Sequence, residues 1–122
     1  MNPINKFEIP TTDLARAQTF YERVFQIKLE VVDKSKRMTM AYFPGGSAQS
    51  GAMGALVHTG DMTPSLQGSV VYFRCNDLNE ELERIKEYGG EVLFAKTPIG
   101  DNGYIAHFCD TEGNRIGLHS MK

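Results

Sequence analysis

The stretch FEIPTTDL at residues 7–14 decides the fold, because a similar stretch, VYFRCNDL, occurs again at residues 71–78. Each stretch runs from an apolar segment into an Asp-Leu pair, with Asp13 and Asp77 in equivalent places. Self-similarity at a fixed offset is the sequence signature of a duplicated structural unit. The chain is therefore predicted to contain two copies of one module.

A second pair of similar stretches supports the duplication. AYF at residues 41–43 matches AHF at residues 106–108, in the same order and at nearly the same offset. The modules would then cover about residues 1–60 and 68–122. Because 122 residues is the length of one ordinary domain, we predict a single domain that contains both modules.

Both modules predict the order strand, helix, strand, strand, strand. In the first module, an apolar run before Pro10 predicts a strand, and Thr12 or Asp13 is a typical helix N-cap. In the second module, a strand is predicted at residues 69–75, and Asp77 would cap a helix that ends at Gly89. Apolar patterning predicts the remaining strands at residues 28–33, 37–43, 53–58, 91–95, 104–109 and 115–119. The fold class is therefore α+β, with two βαβββ modules in tandem.

The pairing of two such modules predicts a binding site between them. A helix covers one face of each four-stranded sheet, which leaves the other face without a layer on it. Set side by side, two curved mixed sheets form a central trough, where a small-molecule ligand is expected. Because each module is small, we also expect the chain to form a homodimer.

Composition excludes several classes of function. Apolar residues make up 41% of the chain and charged residues 23%, which is a globular composition. The net charge of -2 offers no positive field for a phosphate backbone, so nucleic-acid binding is not expected. No apolar run approaches the roughly 20 residues of a membrane helix, and the first residues lack a hydrophobic segment. We therefore expect no membrane association and a cytoplasmic location.

The opening and the tail of the chain resemble those of glyoxalase/bleomycin-resistance proteins, members of the vicinal oxygen chelate superfamily. The opening combines residues 7–14 with the pairs at residues 16–17 and 20–21, and the tail is DTEGNRIGL at residues 110–118. That tail is similar to the family signature D-P-x-G-N-x-x-E-L. The resemblance implies the paired-module fold. It also implies one of several functions, because the superfamily includes lactoylglutathione lyases, dioxygenases and metal-free drug-binding proteins.

The resemblance also implies four metal-ligand positions, which in the enzymes usually hold His or Gln, Glu, His and Glu. The family spacing, counted back from the two capping aspartates, places two of them on Lys6 and Val70. The last-strand Glu of the signature falls on Gly117, and the fourth position falls near Ala55 or Leu56. None of these side chains is an ordinary ligand for a divalent ion. We therefore expect no metal site and no cofactor.

A displaced polar ring is the alternative to the missing metal site. Residues two apart on a strand share a face, so Glu8, Tyr72 and His119 are predicted to lie at one level in the trough. His58 would join them if the register allows. The ring could hold a displaced metal, or Glu8 and His119 could act as a catalytic base pair in a lyase or isomerase. In the plainer interpretation the two side chains form a hydrogen-bonded pair in a half-buried cavity.

Four further residues are candidates for ligand contact. Face parity directs His107 and Tyr42 into the trough, although ordinary packing is the preferred explanation for both. Arg74 shares the face of Tyr72 and would pair either an anionic ligand group or a surface carboxylate. Lys96 is predicted to lie on a loop, and the sequence leaves open whether it approaches Glu8. The leading hypothesis is a metal-free small-molecule-binding protein, and a lyase or isomerase that uses Glu8 and His119 is the alternative.

Overall fold

A computed structural model describes residues 2–35, 37–45 and 51–122, and it confirms the duplicated α+β architecture. The first module consists of β1 (Lys6–Pro10), α1 (Leu14–Phe25), β2 (Glu30–Ser35), β3 (Met38–Tyr42) and β4 (Met53–Thr59). The second consists of β5 (Tyr72–Arg74), α2 (Leu78–Glu87), β6 (Glu91–Pro98), β7 (Tyr104–Cys109) and β8 (Arg115–Ser120). Among the described residues, neither helix has the length and apolar character needed to cross a membrane.

Both helices begin at the aspartates that the sequence singled out. The side chain of Asp13 accepts a hydrogen bond from the backbone N–H of Arg16, and that of Asp77 accepts one from Asn79. Such side-chain bonds satisfy the backbone donors that a helix start leaves unpaired. Each helix then buries one apolar stripe, which comprises Ala17, Phe20, Tyr21 and Val24 in α1 and Leu78, Leu82 and Ile85 in α2.

The two sheets repeat one topology. Their strand orders are β1-β4-β3-β2 and β5-β8-β7-β6, and in each sheet the first two strands are parallel. The strand bounds differ from the predicted ones mainly in the second module. There β5 is only three residues long, whereas β6 continues to Pro98 through two register shifts. The strand β6 therefore includes residues 96–98, which the sequence placed in a loop.

The helix-covered faces of both sheets share one core. Phe73 on β5 packs its ring 4.6 Å from that of Phe25 on α1 and 6.1 Å from that of Phe7 on β1. Side chains alternate along a strand, so Glu8 lies on the opposite face from its neighbours Phe7 and Ile9. We call this opposite side the helix-free face of each sheet. Residues on it, such as Glu8 and Tyr72, do not belong to the shared core.

The buried carboxylate of Glu112 joins the two modules. It lies in the turn between β7 and β8, and its side chain is fully buried. It accepts hydrogen bonds from the backbone N–H groups of Thr12 (2.9 Å) and Asp13 (2.8 Å) at the start of α1, and from Arg16 Nε (2.8 Å). Hydrogen bonds to the ionised form lower the pKa of Glu112 to about 2, although burial alone would raise it.

A second buried carboxylate in the same turn supports this junction. Asp110 accepts a 2.6 Å hydrogen bond from the hydroxyl of Tyr21 on α1, and further bonds from the backbone N–H groups of Glu112 and Asn114. Asn114 donates in turn to the carbonyl of Pro10 at the end of β1 (2.8 Å). The family-like tail is therefore a structural connector between the modules.

Glu112→Gln is expected to lower the free energy of unfolding by about 2 kcal/mol at neutral pH, because the charge-assisted hydrogen bonds across the junction are lost. Urea denaturation of both proteins measures the difference. Glu83→Gln is the matched control, because Glu83 is exposed and pairs with Lys86 on the helix surface.

The same pair of proteins tests the pH dependence of the junction. Since the pKa of Glu112 is depressed from 4.5 to about 2 in the folded chain, its stabilisation is complete above pH 4.5 and is lost as the pH falls toward 2. The difference in stability between the wild type and Glu112→Gln should shrink over that interval. A difference that stays constant with pH would show that the charge of Glu112 does not stabilise the fold.

Candidate functional site

A cavity of about 450 Å³ lies on the helix-free face of the second sheet. Tyr72 and Arg74 from β5, His119 from β8, Ile105 from β7 and Ile99 before the short 3-10 turn line it. Cavities of this size accommodate small organic molecules. The lining combines a guanidinium, a phenol and an imidazole with two aliphatic side chains.

Tyr72 lies across its neighbouring strand. Tyr72 pairs with Gly117 on β8, and Gly117 pairs with His107 on β7. A Cβ atom at Gly117 would overlap the Tyr72 ring, so only glycine leaves space for the ring to lie there. The hydroxyl of Tyr72 consequently reaches His107 Nε2, at 2.6 Å.

His107 is the most enclosed polar group of this face. Its Nδ1 lies 3.1 Å from Arg115 NH1, and the ring of Phe94 packs 4.5 Å from the imidazole. Burial, and secondarily the positive charge of Arg115, lower the pKa of His107 below its ordinary value. Both effects favour the neutral form of the His107 imidazole.

His119 lines the cavity from β8, two residues beyond Gly117. Its Nε2 lies 2.6 Å from the carbonyl oxygen of Asn102, so this nitrogen carries the hydrogen. The prediction that Tyr72 and His119 lie at one level was wrong, because β8 pairs Gly117 with Tyr72 and His119 with Arg74. Both side chains nevertheless line the same cavity.

Two predicted site residues lie elsewhere. Glu8 lines a smaller cavity of about 150 Å³, together with Asn114 and linker residues, and its carboxylate is 4.0 Å from Lys6 Nζ. Tyr42 lines a cavity of about 370 Å³ on the first sheet. The expected ring of Glu8, Tyr72 and His119 is therefore not assembled within one chain, because the two sheets share their helix-covered faces rather than a common trough.

The two residues whose position was left open also lie away from the cavity. His58 Nδ1 bonds the carbonyl of Thr11 at 3.1 Å, and the residue shares the face of Leu56, which belongs to the shared core. Lys96 is directed toward the second module's own helix and not toward Glu8. It lies on β6 and pairs with Asp77 at the start of α2 (3.2 Å), above the ring of Tyr104.

The family's metal does not fit these residues. The described chain contains no group of three or more His, Cys, Asp or Glu side chains arranged to hold a metal ion. At the position of the last-strand carboxylate, Gly117 has no side chain, and the ring of Tyr72 fills the space instead. The amine of Lys6, an exposed cation at the start of β1, adds positive charge where another ligand would be required.

Sequence reasoning missed three residues of this region. Arg115 contacts His107, and Ile99 and Ile105 supply the apolar part of the cavity. Strand alternation would have found Arg115 and Ile105, because each lies two residues from a site position on the same strand. Arg115 shares a face of β8 with Gly117, and Ile105 shares a face of β7 with His107. The position of Ile99 depends on the turn at residues 100–102, which no periodic pattern specifies.

The sequence profile of the Glyoxalase/Bleomycin resistance protein/Dioxygenase superfamily matches residues 3–118. The chain belongs to this superfamily. A comparison with curated protein sequences finds no match.

Several solved structures superpose over nearly the whole chain. A glyoxalase I variant from Zea mays has a TM-score of 0.74 and 24% identity, and the alignment covers 98% of this chain and 46% of the maize chain. This chain thus spans about half the length of that relative. TnmS3, an antibiotic binding protein from Streptomyces sp. CB03234, has a TM-score of 0.69 and 25% identity, with 98% of this chain and 96% of that chain covered.

A third similar structure is the fosfomycin resistance protein FosX from Listeria monocytogenes. Its TM-score is 0.69 at 16% identity, with 98% of this chain and 91% of that chain covered. The maize and Listeria proteins therefore establish a shared fold.

Gly117→Ala is expected to destabilise the protein by about 2 kcal/mol, because the new methyl group meets the Tyr72 ring in a packed position. In a Tyr72→Ala background the same change should cost much less. Urea denaturation of the two single variants and the double variant measures this coupling. Gly60→Ala is the control, since a Cβ there meets nothing within 4 Å. Equal costs in both backgrounds would contradict the packing of Tyr72 on Gly117.

Proposed function

We propose that this protein binds a small organic molecule that carries an anionic oxygen on a largely apolar body, and that it does so without a metal ion. The observation that carries the proposal is Arg74. Its guanidinium lines the cavity beside Ile99 and Ile105, and among the described residues it has no hydrogen-bond or ion-pair partner. An unpaired cation beside apolar side chains favours an anionic ligand with an apolar part.

The other polar groups fit the same ligand. Tyr72 lines the cavity and is 45% exposed, so the residue is accessible to a ligand. His119 is held by the carbonyl of Asn102 through Nε2, which leaves Nδ1 for a ligand or a water molecule. Together these groups would orient an oxygen-bearing head group, while the isoleucines contact the apolar part.

The relatives support binding as the general role. An antibiotic binding protein of the same fold aligns over almost its whole length with this chain. Sequestration of a small molecule needs only a shaped cavity with a few oriented polar groups. A metal-independent conversion of the ligand is the second form that this role could take.

A homodimer is part of the proposal. The helix-free face of the first sheet carries Glu8 and Tyr42, and that of the second carries the Tyr72 cavity. Within one chain these residues line separate cavities, and Tyr72, Phe94 and Ile99 remain substantially exposed. A second copy that places its first sheet against the second sheet would cover these apolar side chains and complete the trough.

Ligand selectivity is tested with 2-naphthoate, neutral 2-naphthamide and cationic 2-naphthylmethylamine as probes of similar shape. We expect the affinities to fall in that order in calorimetric titrations. Arg74→Gln should weaken naphthoate binding by about tenfold, since a charge-assisted hydrogen bond contributes roughly 1.5 kcal/mol or more.

Arg23→Gln is the matched control, because Arg23 is an exposed arginine that lines a different cavity. Naphthoate affinity should be the same in chelator-treated protein and in protein supplied with zinc. Equal affinity for the three probes would contradict the anionic ligand class. One tightly bound zinc per chain, lost in Glu8→Ala or His119→Ala, would favour a displaced metal and the lyase alternative instead.

The dimer is tested by light scattering on the purified chain. The expected mass is twice the 13.6 kDa of one chain at concentrations where naphthoate binds. A Tyr72→Glu variant should shift the mass toward the monomer, since it places a charge in the covered face. A wild-type protein that binds naphthoate but has the mass of a monomer at the same concentration would contradict this part of the proposal.

A further inference from the structure

Three side chains on the helix-free face of the second sheet form a continuous chain of hydrogen bonds. Arg115 NH1 lies 3.1 Å from His107 Nδ1, and His107 Nε2 lies 2.6 Å from the hydroxyl oxygen of Tyr72. The three residues come from three strands, β8, β7 and β5. Only the last of them, Tyr72, lines the cavity.

The direction of these hydrogen bonds follows from their chemistry. A guanidinium has only donors, so His107 Nδ1 must accept from Arg115 through its lone pair. A neutral imidazole then carries its hydrogen on Nε2 and donates it to the Tyr72 oxygen. The hydroxyl hydrogen of Tyr72 is consequently not used in this chain of bonds.

We propose that Arg115 and His107 are positioning residues that fix the Tyr72 hydroxyl as a hydrogen-bond donor to the anionic oxygen of the ligand. This inference rests on the proposed function, and it assigns a role to Arg115 although Arg115 does not line the cavity. Tyr72 and Arg74 then present two donors on the same face of β5. Carboxylates, enolates and phenolates satisfy both donors, whereas an ammonium group satisfies neither.

The surroundings of Arg115 and His107 hold this arrangement in place. Arg115 Nε donates to the carbonyl of Leu66 in the linker (3.0 Å), which anchors the guanidinium beside His107. Phe94 packs against the imidazole from the neighbouring strand β6. The imidazole is therefore held between Arg115, Phe94 and Tyr72 before any ligand enters.

The first test measures the tautomer of His107 in the ligand-free protein by long-range nitrogen–proton NMR correlation at neutral pH. We expect the Nε2–H form in the wild type. In Arg115→Met the preference should weaken, because the donor that selects this tautomer is gone. A wild-type ring with hydrogen on Nδ1, or on both nitrogens, would overturn the proposal.

The second test compares naphthoate affinities in a set of variants. Tyr72→Phe should weaken binding about tenfold, as expected for one hydrogen bond to an anionic oxygen. His107→Leu and Arg115→Met should each weaken naphthoate binding by the same factor or less. In a Tyr72→Phe background, either change should cause little further loss of affinity. Arg74→Gln removes an independent donor. In the double variant, its fold loss of naphthoate affinity should therefore multiply with that of Tyr72→Phe.

The variants also separate this inference from the proposed function. Because Arg115→Met removes the bond to the Leu66 carbonyl as well, thermal melting checks its fold, and His107→Leu tests the chain of bonds with that anchor intact. Losses that multiply in full between His107→Leu and Tyr72→Phe would overturn the positioning role while the proposed function stands. If wild-type protein does not bind naphthoate, the proposed ligand class fails, and the tautomer measurement alone decides whether Tyr72 is held as a donor.

Discussion

The junction between the two modules depends on the buried carboxylate of Glu112. Glu112 brings a carboxylate from the second module to the first turn of α1 in the other module, where backbone N–H groups and the guanidinium of Arg16 meet it. An ion in the interior is tolerated only when such partners surround it. The turn that carries Glu112 leads directly into β8, the strand with Gly117 and His119. The interaction that joins the modules therefore also fixes the strand on which the binding cavity is built.

Much of the fold could be predicted from the sequence, because its signals are local. Asp13 and Asp77 mark helix starts through bonds to N–H groups a few residues away. Alternation along single strands assigned Tyr72 and Arg74 to the helix-free face. The relation between strands was less predictable, since no residue pattern specifies that His119 lies opposite Arg74. The separation of Glu8 from Tyr72 likewise depends on how the two modules pack, which follows from the shared core and not from either module alone.

The candidate site differs from a metal centre in the residues at the family's ligand positions. At the last-strand position the helix-free face has a glycine covered by the ring of Tyr72, and the proposed hydrogen-bond donors Arg74 and Tyr72 line the adjacent cavity. Donors of this kind recognise an oxygen by direction as well as by charge. The neutral state of His107 belongs to this arrangement, because a cationic ring could not accept the bond from Arg115.

The close approach of Tyr72 to Gly117 limits how a metal centre could be built into this chain. A single mutation that introduces an acidic side chain at Gly117 would collide with the phenol ring, and loss of the ring alone would leave a gap on the sheet surface. A metal centre of the family type would therefore require both changes together, as well as a new residue in place of Lys6. Each of the two changes made alone is expected to lower the stability of the fold, so neither is a usable first step.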